Sequence, residues 1–322
     1  MAFTATAHAA QRIPLAIGSD GHSLTASSGQ GQRLAVVVSR RTTTKLAVFG
    51  AHDRWRQVTL ATRRPHAVRF ARLEGGAGLV AWDAGDAVRV RTWDRTGKLG
   101  PQRTVLTGVN TVWEGDTQHP GWDLASNRSG TVAIAAPTLQ GGVRVTVREP
   151  GEDFAAAQDL RASGDLQPAI SITAIATDGT MVVTWRDQAP YQDVAPGDAT
   201  GAAMRQQRGA FAAIDPPAAH EDPSVWVVEG SRAVHPADDV LALCQAAKQG
   251  CRDPQLFTWP GGRQVLVFRR NFDQSYTAVR GTDGSFGKPR FASVSRVPVW
   301  TSKPGRVNFI QARKGALYVT TR

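Results

Sequence analysis

The chain has 322 residues, 41% of them apolar and 20% charged, and a formal charge of +11. That balance supports a continuous core, and no stretch approaches the 18 consecutive apolar residues of a membrane-spanning helix. The positive excess is nearly all Arg; it reads either as a surface for an anionic partner or as Arg scattered over solvent faces by a GC-rich genome. No run of five Lys or Arg and no RNA-binding signature is present, so nucleic acid is not an expected partner.

Residues 1–10 carry Ala7-His8-Ala9, the small-x-small pattern of a signal-peptidase site, without a basic region or long apolar stretch before it. They read either as the remnant of an export signal, placing the protein outside the cell or in its envelope, or as a strand over Phe3–Ala7. From Arg33 onwards a pattern recurs about every 45 to 52 residues. An apolar strand, a short gap, a second strand, a tight Gly- or Asp-bearing turn and a third strand repeat from Arg33, Gly78, Gly130, Gly179 and Arg263, and a last copy opens at Gly315. The 32 glycines and 18 prolines fall mostly at strand ends, as an all-β chain with many turns requires.

Short strands at this period predict an all-β fold, a single six-bladed β-propeller over residues 11–322 with one four-stranded blade per repeat. The first turns of the blades, between strands A and B, are Gly29–Gln32, Gly75-Gly76, Asn127–Gly130, Thr177–Gly179, Pro260–Gly262 and Arg313–Gly315. The C–D turns are His52-Asp53, Arg95–Gly97, Pro150–Asp153, Arg208-Gly209 and Thr282–Gly284. The long connections are Gly108–Asp123, Arg186–Thr200, an insertion at about 215–250 and Val294–Gly305; all fall on the opposite face, which reads as the binding face. Within the insertion, Pro236–Gly250 has helical start and stop signals. The last copy is read as strands A and B alone, from about Arg306, so the N-terminus should close the ring with Gln11–Gly18 as strand D and Phe3–Ala9 as strand C. Seven blades would require Asp222–His235 to be a degenerate blade.

The repeats resemble the exported β-propeller repeats of actinobacteria and related GC-rich bacteria. The likeness rests on Asp178-Gly179-Thr180 followed by Trp185, and on Asp283-Gly284-Ser285-Phe286-Gly287-Lys288-Pro289. It is weaker at Asp94–Pro101. The resemblance implies the fold and says little of activity. Arg12-Ile13-Pro14 is similar to the sialidase Arg-Ile-Pro motif, whose Arg holds a substrate carboxylate, but the Asp-box spacing of that family is missing. The Trp-Asp pairs at Trp82, Trp93 and Trp122 read as coincidence with WD repeats, since no Gly-His partner precedes them.

Candidate binding residues gather in two loops. Trp113, Glu114, Asp116, His119 and Trp122 lie close together, and two Trp side chains with carboxylates between them suit a sugar ring. The competing reading has both Trp residues plugging the gap between blades. Asp187, Tyr191 and Asp193 lie in the second loop, without the spacing of a Ca²⁺ site. Cys244 and Cys251 are six residues apart and read as one local disulfide or as two buried thiols; a lone pair is a poor zinc site. No catalytic motif, cofactor or metal site is expected. The expectation is a non-enzymatic propeller binding a ligand, glycan or protein on its loop-rich face; the alternative is a carbohydrate-active hydrolase or lyase using carboxylates there.

Overall fold

The computed structural model describes residues 11–16, 22–28, 34–49, 54–111, 121–127, 129–164, 168–175, 178–187, 201–214, 227–229, 232–234, 252–258, 264–270, 274–281, 286–294, 297–300, 307–313 and 316–321. Apart from a single 3-10 turn at Glu74–Gly76, these form six four-stranded antiparallel sheets and one two-stranded hairpin. The chain divides into two compact units, residues 65–237 and residues 1–64 with 238–322.

The 65–237 unit holds three of the sheets, each running in sequence order. The first is β6 (Val68–Arg72), β7 (Gly78–Asp83), β8 (Ala87–Trp93) and β9 (Leu99–Thr107). The second is β10 (Asp123–Ser126), β11 (Val132–Pro137), β12 (Val143–Arg148) and β13 (Gln158–Arg161). The third is β14 (Pro168–Ile175), β15 (Met181–Asp187), β16 (Gly201–Arg205) and β17 (Phe211–Ile214).

Strand β11 shows why a second strand can be apolar without interruption. Side chains alternate between the two faces of a strand. Val132, Ile134 and Ala136 enter one core with Leu79, Ala81 and Trp122, while Ala133 and Ala135 enter another with Val183 and Trp185. A strand with a packed layer on each side has no polar face to offer, so alternation disappears and a solid run remains. Full burial of Ile134 alone contributes about 3 kcal/mol. The outermost strand β9 has only one half-covered face, and Pro101–Thr104 are exposed.

The other unit holds the sheet β2 (His22–Ser28), β3 (Leu34–Arg40), β4 (Thr44–Phe49) and β5 (Trp55–Ala61). It also holds β20 (Arg252–Thr258), β21 (Gln264–Arg270), β22 (Gln274–Val279) and β23 (Arg290–Val294). Its last sheet takes β24 (Val297–Trp300), β25 (Val307–Arg313) and β26 (Ala316–Thr321) from the end of the chain and β1 (Gln11–Ala16) from the beginning. β1 lies antiparallel on β26, with Gln11 opposite Val319 and Ile13 opposite Leu317. Ile13 and Leu317 are both fully buried, packed with Val36 and Ile310.

The final repeat therefore differs from its sequence reading. It supplies three strands, not two, and Val297–Trp300 is a strand where a loop was expected. The turn at 313–315 joins the second and third strands of that sheet, so it is not an A–B turn. Among the described residues, one N-terminal strand, Gln11–Ala16, pairs in this sheet. Within Asp222–His235, β18 (Val227–Glu229) and β19 (Arg232–Val234) form a two-stranded hairpin. Phe3–Ala9, the Pro236–Gly250 segment, Cys244 and Cys251 lie outside the described residues.

The C–D hairpins share a construction. A residue at the end of strand C, or just past it for Arg280, faces the residue six positions later in five of these hairpins: Phe49 and Trp55, Trp93 and Leu99, Arg148 and Phe154, Arg205 and Phe211, Arg280 and Phe286. Asp94 shows how such a turn is held: its Oδ1 accepts from the Thr96 and Lys98 amides and from the Thr96 hydroxyl, which holds its carboxyl below the usual range. Trp93 in turn lies across Gly78, where an added Cβ would stand 2.1 Å from the indole ring. Trp185 covers Gly201 in the same way.

Candidate functional site

Within the 65–237 unit, charged residues join neighbouring sheets at defined points. At the inner strands, Asp123 accepts from the Ile172 amide at 2.9 Å and pairs with Arg69 at 3.2 Å, so one carboxylate connects β10 to both β6 and β14. Arg69 also donates to the Trp122 carbonyl and sits over the Trp122 ring, 5.6 Å from its centre. At the opposite end of the same sheet, two successive residues of opposite charge reach in opposite directions. Arg148 pairs with Glu74 of the preceding sheet at 3.0 Å, and Glu149 pairs with Arg205 of the following one at 2.6 Å. The second pair is buried, with side chains 10% and 9% exposed, and the Thr131 hydroxyl donates to the other Glu149 oxygen.

Between the outer halves of the first two sheets of this unit lies a groove of about 780 Å³. β9 forms one wall. The other is the C–D segment 151–157, which runs beside β12 through the Ala155 amide to Val147 carbonyl bond. Ala155, Ala156 and Ala157 are exposed and place nothing beyond a methyl group in this space, which is why the groove stays open. Its floor is apolar, with Val90 and Leu106 buried and Trp93 and Phe154 at the sides. Thr92 and Thr104 add hydroxyls.

The rim is ionic. Arg103 and Asp153 form a close ion pair from one wall to the other, both side chains exposed. Deeper in, Arg144 grips Asp159 with two bonds, at 2.6 and 3.0 Å, and donates to the Thr107 carbonyl of β9 at 2.8 Å. The Arg103 and Arg144 guanidiniums hold the Asp153 and Asp159 carboxyls below their ordinary range. Burial acts to raise Glu74, but hydrogen bonds from Arg148, its own amide and the Gly151 amide outweigh it and leave this carboxyl lowered as well. A groove with an apolar floor, hydroxyls and fixed charges at the rim is equipped to hold a small polar molecule by contact and hydrogen bonding.

The residues singled out from sequence are only partly visible. Trp113, Glu114, Asp116, His119, Tyr191 and Asp193 lie outside the described residues. Trp122 is fully buried in the core with Val109 and Val132, so its ring has no face open to a sugar, which corrects the expectation that it forms an aromatic platform. Asp187 ends β15 and pairs with Arg161 at 2.8 Å, binding the second and third sheets of the unit together. The sequence reading missed the groove and its charged rim. Two signals were present: the three consecutive alanines in a C–D segment, and the recurrence of Arg six residues before Phe.

The sequence matches no protein-family model and no curated protein. Among solved structures, a prolyl endopeptidase superposes with a TM-score of 0.51 at 11% identity, over 94% of this chain and 50% of the other, so the chain spans about half the length of that protein. The lectin BP39L of Burkholderia pseudomallei gives 0.45 at 10% identity, over 93% and 81%. The α-L-arabinofuranosidase Arb93A of Fusarium graminearum gives 0.43 at 9%, over 97% and 96%. Identities this low bear on fold alone. The structural neighbours are β-propeller proteins, and with a lectin and a glycoside hydrolase both among them they favour neither binding nor hydrolysis.

Proposed function

We propose that this chain is a six-bladed β-propeller, closed by its first strand, that binds a small polar ligand, a glycan foremost, without transforming it. The observation that carries this reading is the groove beside β9. Its volume lies within the usual range for small-molecule sites, and its apolar floor with hydroxyl and ionic edges suits a sugar's mixed faces. The loop-rich face, with Trp113, Glu114, Asp116, His119, Tyr191 and Asp193, would supply further contacts. Glycoside hydrolysis requires one carboxyl held protonated near neutral pH opposite a second that is ionised. Of the carboxyls that line the groove, Glu74, Asp94 and Asp153 are shifted downward, away from the raised value a general acid needs. We place the protein in the cell envelope or outside it, on the support of Ala7-His8-Ala9 and the Cys244 and Cys251 pair.

A glycan array with the purified chain, repeated with Ala156→Trp, tests the assignment. The substitution fills the groove from an exposed position and should abolish binding while leaving the unfolding midpoint in place. Binding by Ala156→Trp at unchanged affinity would remove the groove as the site. Release of reducing sugar from a bound glycan would replace the binding reading with a hydrolytic one.

A further inference from the structure

Six arginines of the 65–237 unit, Arg69, Arg103, Arg144, Arg148, Arg161 and Arg205, each meet a carboxylate. The sheet β2–β5, in the other unit, is built differently. Between Ser39 and His66 the sequence has Arg40, Arg41, Lys45, Arg54, Arg56, Arg63 and Arg64 against the single acid Asp53. Arg41, Arg63 and Arg64 are exposed, and among the described residues no carboxylate lies within ion-pair distance of any of them.

The sheet's connectivity brings these cations to one place. Arg40 and Arg41 open the turn between β3 and β4, which closes through the Arg40 amide to Thr43 carbonyl bond at 2.7 Å. Arg63 and Arg64 follow β5, whose last residue Ala61 stands opposite Thr44. The Thr44 hydroxyl donates to the Arg63 carbonyl at 3.0 Å and fixes the two segments side by side. Backbone and hydroxyl bonds hold Arg41, Arg63 and Arg64 near one another, and among the described residues none of the three has a carboxylate within ion-pair distance. Such an arrangement raises the local potential and draws anions.

We infer that this end of the β2–β5 sheet, formed by Arg41, Arg63 and Arg64 beside Arg40, is a docking surface for a linear acidic polysaccharide. The surroundings choose among polyanions. Thr42 and Thr62 are the other exposed side chains of the two turns, and both present hydroxyls. Neither turn carries an aromatic residue on which a base could stack or an aliphatic one to enter a bilayer. Among the described residues, the exposed large apolar ones, Leu139, Val279 and Phe291, lie elsewhere in the sequence. A sulfated or uronate chain needs only cations at intervals and hydroxyl partners, and both are present. Binding at this surface does not depend on the groove.

The test uses the full chain and heparin as the probe. Arg41→Ser, Arg63→Ser and Arg64→Ser are combined in one variant. A control variant removes the same charge elsewhere, with Arg54→Ser, Arg56→Ser and Lys288→Ser. Arg54 and Arg56 flank the start of β5, about 25 Å along the strand from Arg63. At low salt each lost cation should weaken binding about fivefold, so the first variant should fall by roughly a hundredfold. The control should stay near the parent, and the parent's affinity should drop steeply with salt. Equal losses in both variants would mean net charge alone and overturn the site. An unchanged first variant would do the same. Tighter binding to single-stranded DNA or to phosphatidylserine vesicles than to heparin at equal ionic strength would overturn the polysaccharide assignment.

Discussion

Removing Glu149 should be among the most destabilising single changes outside the apolar core. The pair it forms with Arg205 is 2.6 Å long, with side chains 10% and 9% exposed. That places it in the buried regime, where loss of one partner leaves an uncompensated charge and costs about 3–5 kcal/mol. In Glu149→Ala, Arg205 keeps one bond, from Nε to the Gly209 carbonyl at 2.8 Å, so the lower end of that range applies. The Thr131 hydroxyl and the more distant Arg208, at 3.9 Å, also lose their partner. Urea denaturation of Glu149→Ala, Arg205→Met and the double variant measures the coupling. The account expects each single change to cost about 3 kcal/mol or more and the double change to recover part of it, because the stranded charge is gone. A Glu149→Ala cost below about 1 kcal/mol would show that the pair behaves as a surface contact and that this clasp does not join the sheets.

Further outcomes follow from the same contacts. Gly78→Ala places a methyl group 2.1 Å from the buried Trp93 ring, and overpacking of this kind should cost about 1–3 kcal/mol in thermal or urea unfolding. Arg103→Ala removes an exposed ion pair at the groove mouth, so the unfolding midpoint should not move, while any ligand held at the rim should bind more weakly. Glu74 and Asp159 sit below their ordinary values of 4.5 and 3.8. A lowered carboxyl contributes stability that is complete above its unfolded value and is lost as pH falls through the folded one. Urea midpoints should therefore be level above about pH 5 and decline below about pH 4, with a shallower decline in Glu74→Gln.

The strands were readable because their turns are. Each C–D hairpin places Gly, Asp or Asn where the chain reverses, and a B strand such as Val132–Pro137 is a solid apolar run because both of its faces are covered. The last repeat was read out of phase since Val297–Trp300 is short and carries Pro298, which removes a backbone donor and looks like a loop. Pairing with Phe309 and its neighbours overrode that local signal. Trp122 looked like a binding residue by composition, but the partner that explains it, Arg69, lies 53 positions away in another repeat. The clasps are similarly remote, with 74 positions between Glu74 and Arg148 and 56 between Glu149 and Arg205. No local pattern announces such pairs, though Arg six residues before Phe marks the cationic end of both.

The central claim is that the chain's first strand completes its last sheet. Hydrogen–deuterium exchange of the peptide covering Gln11–Ala16 tests it most directly. Pairing with Ala316–Thr321 predicts amides in β1 as slow as those of β25 and β26, together with loss of that protection when Ile13 is replaced by Asp. Free exchange of the β1 amides while β25 and β26 stay protected would contradict it.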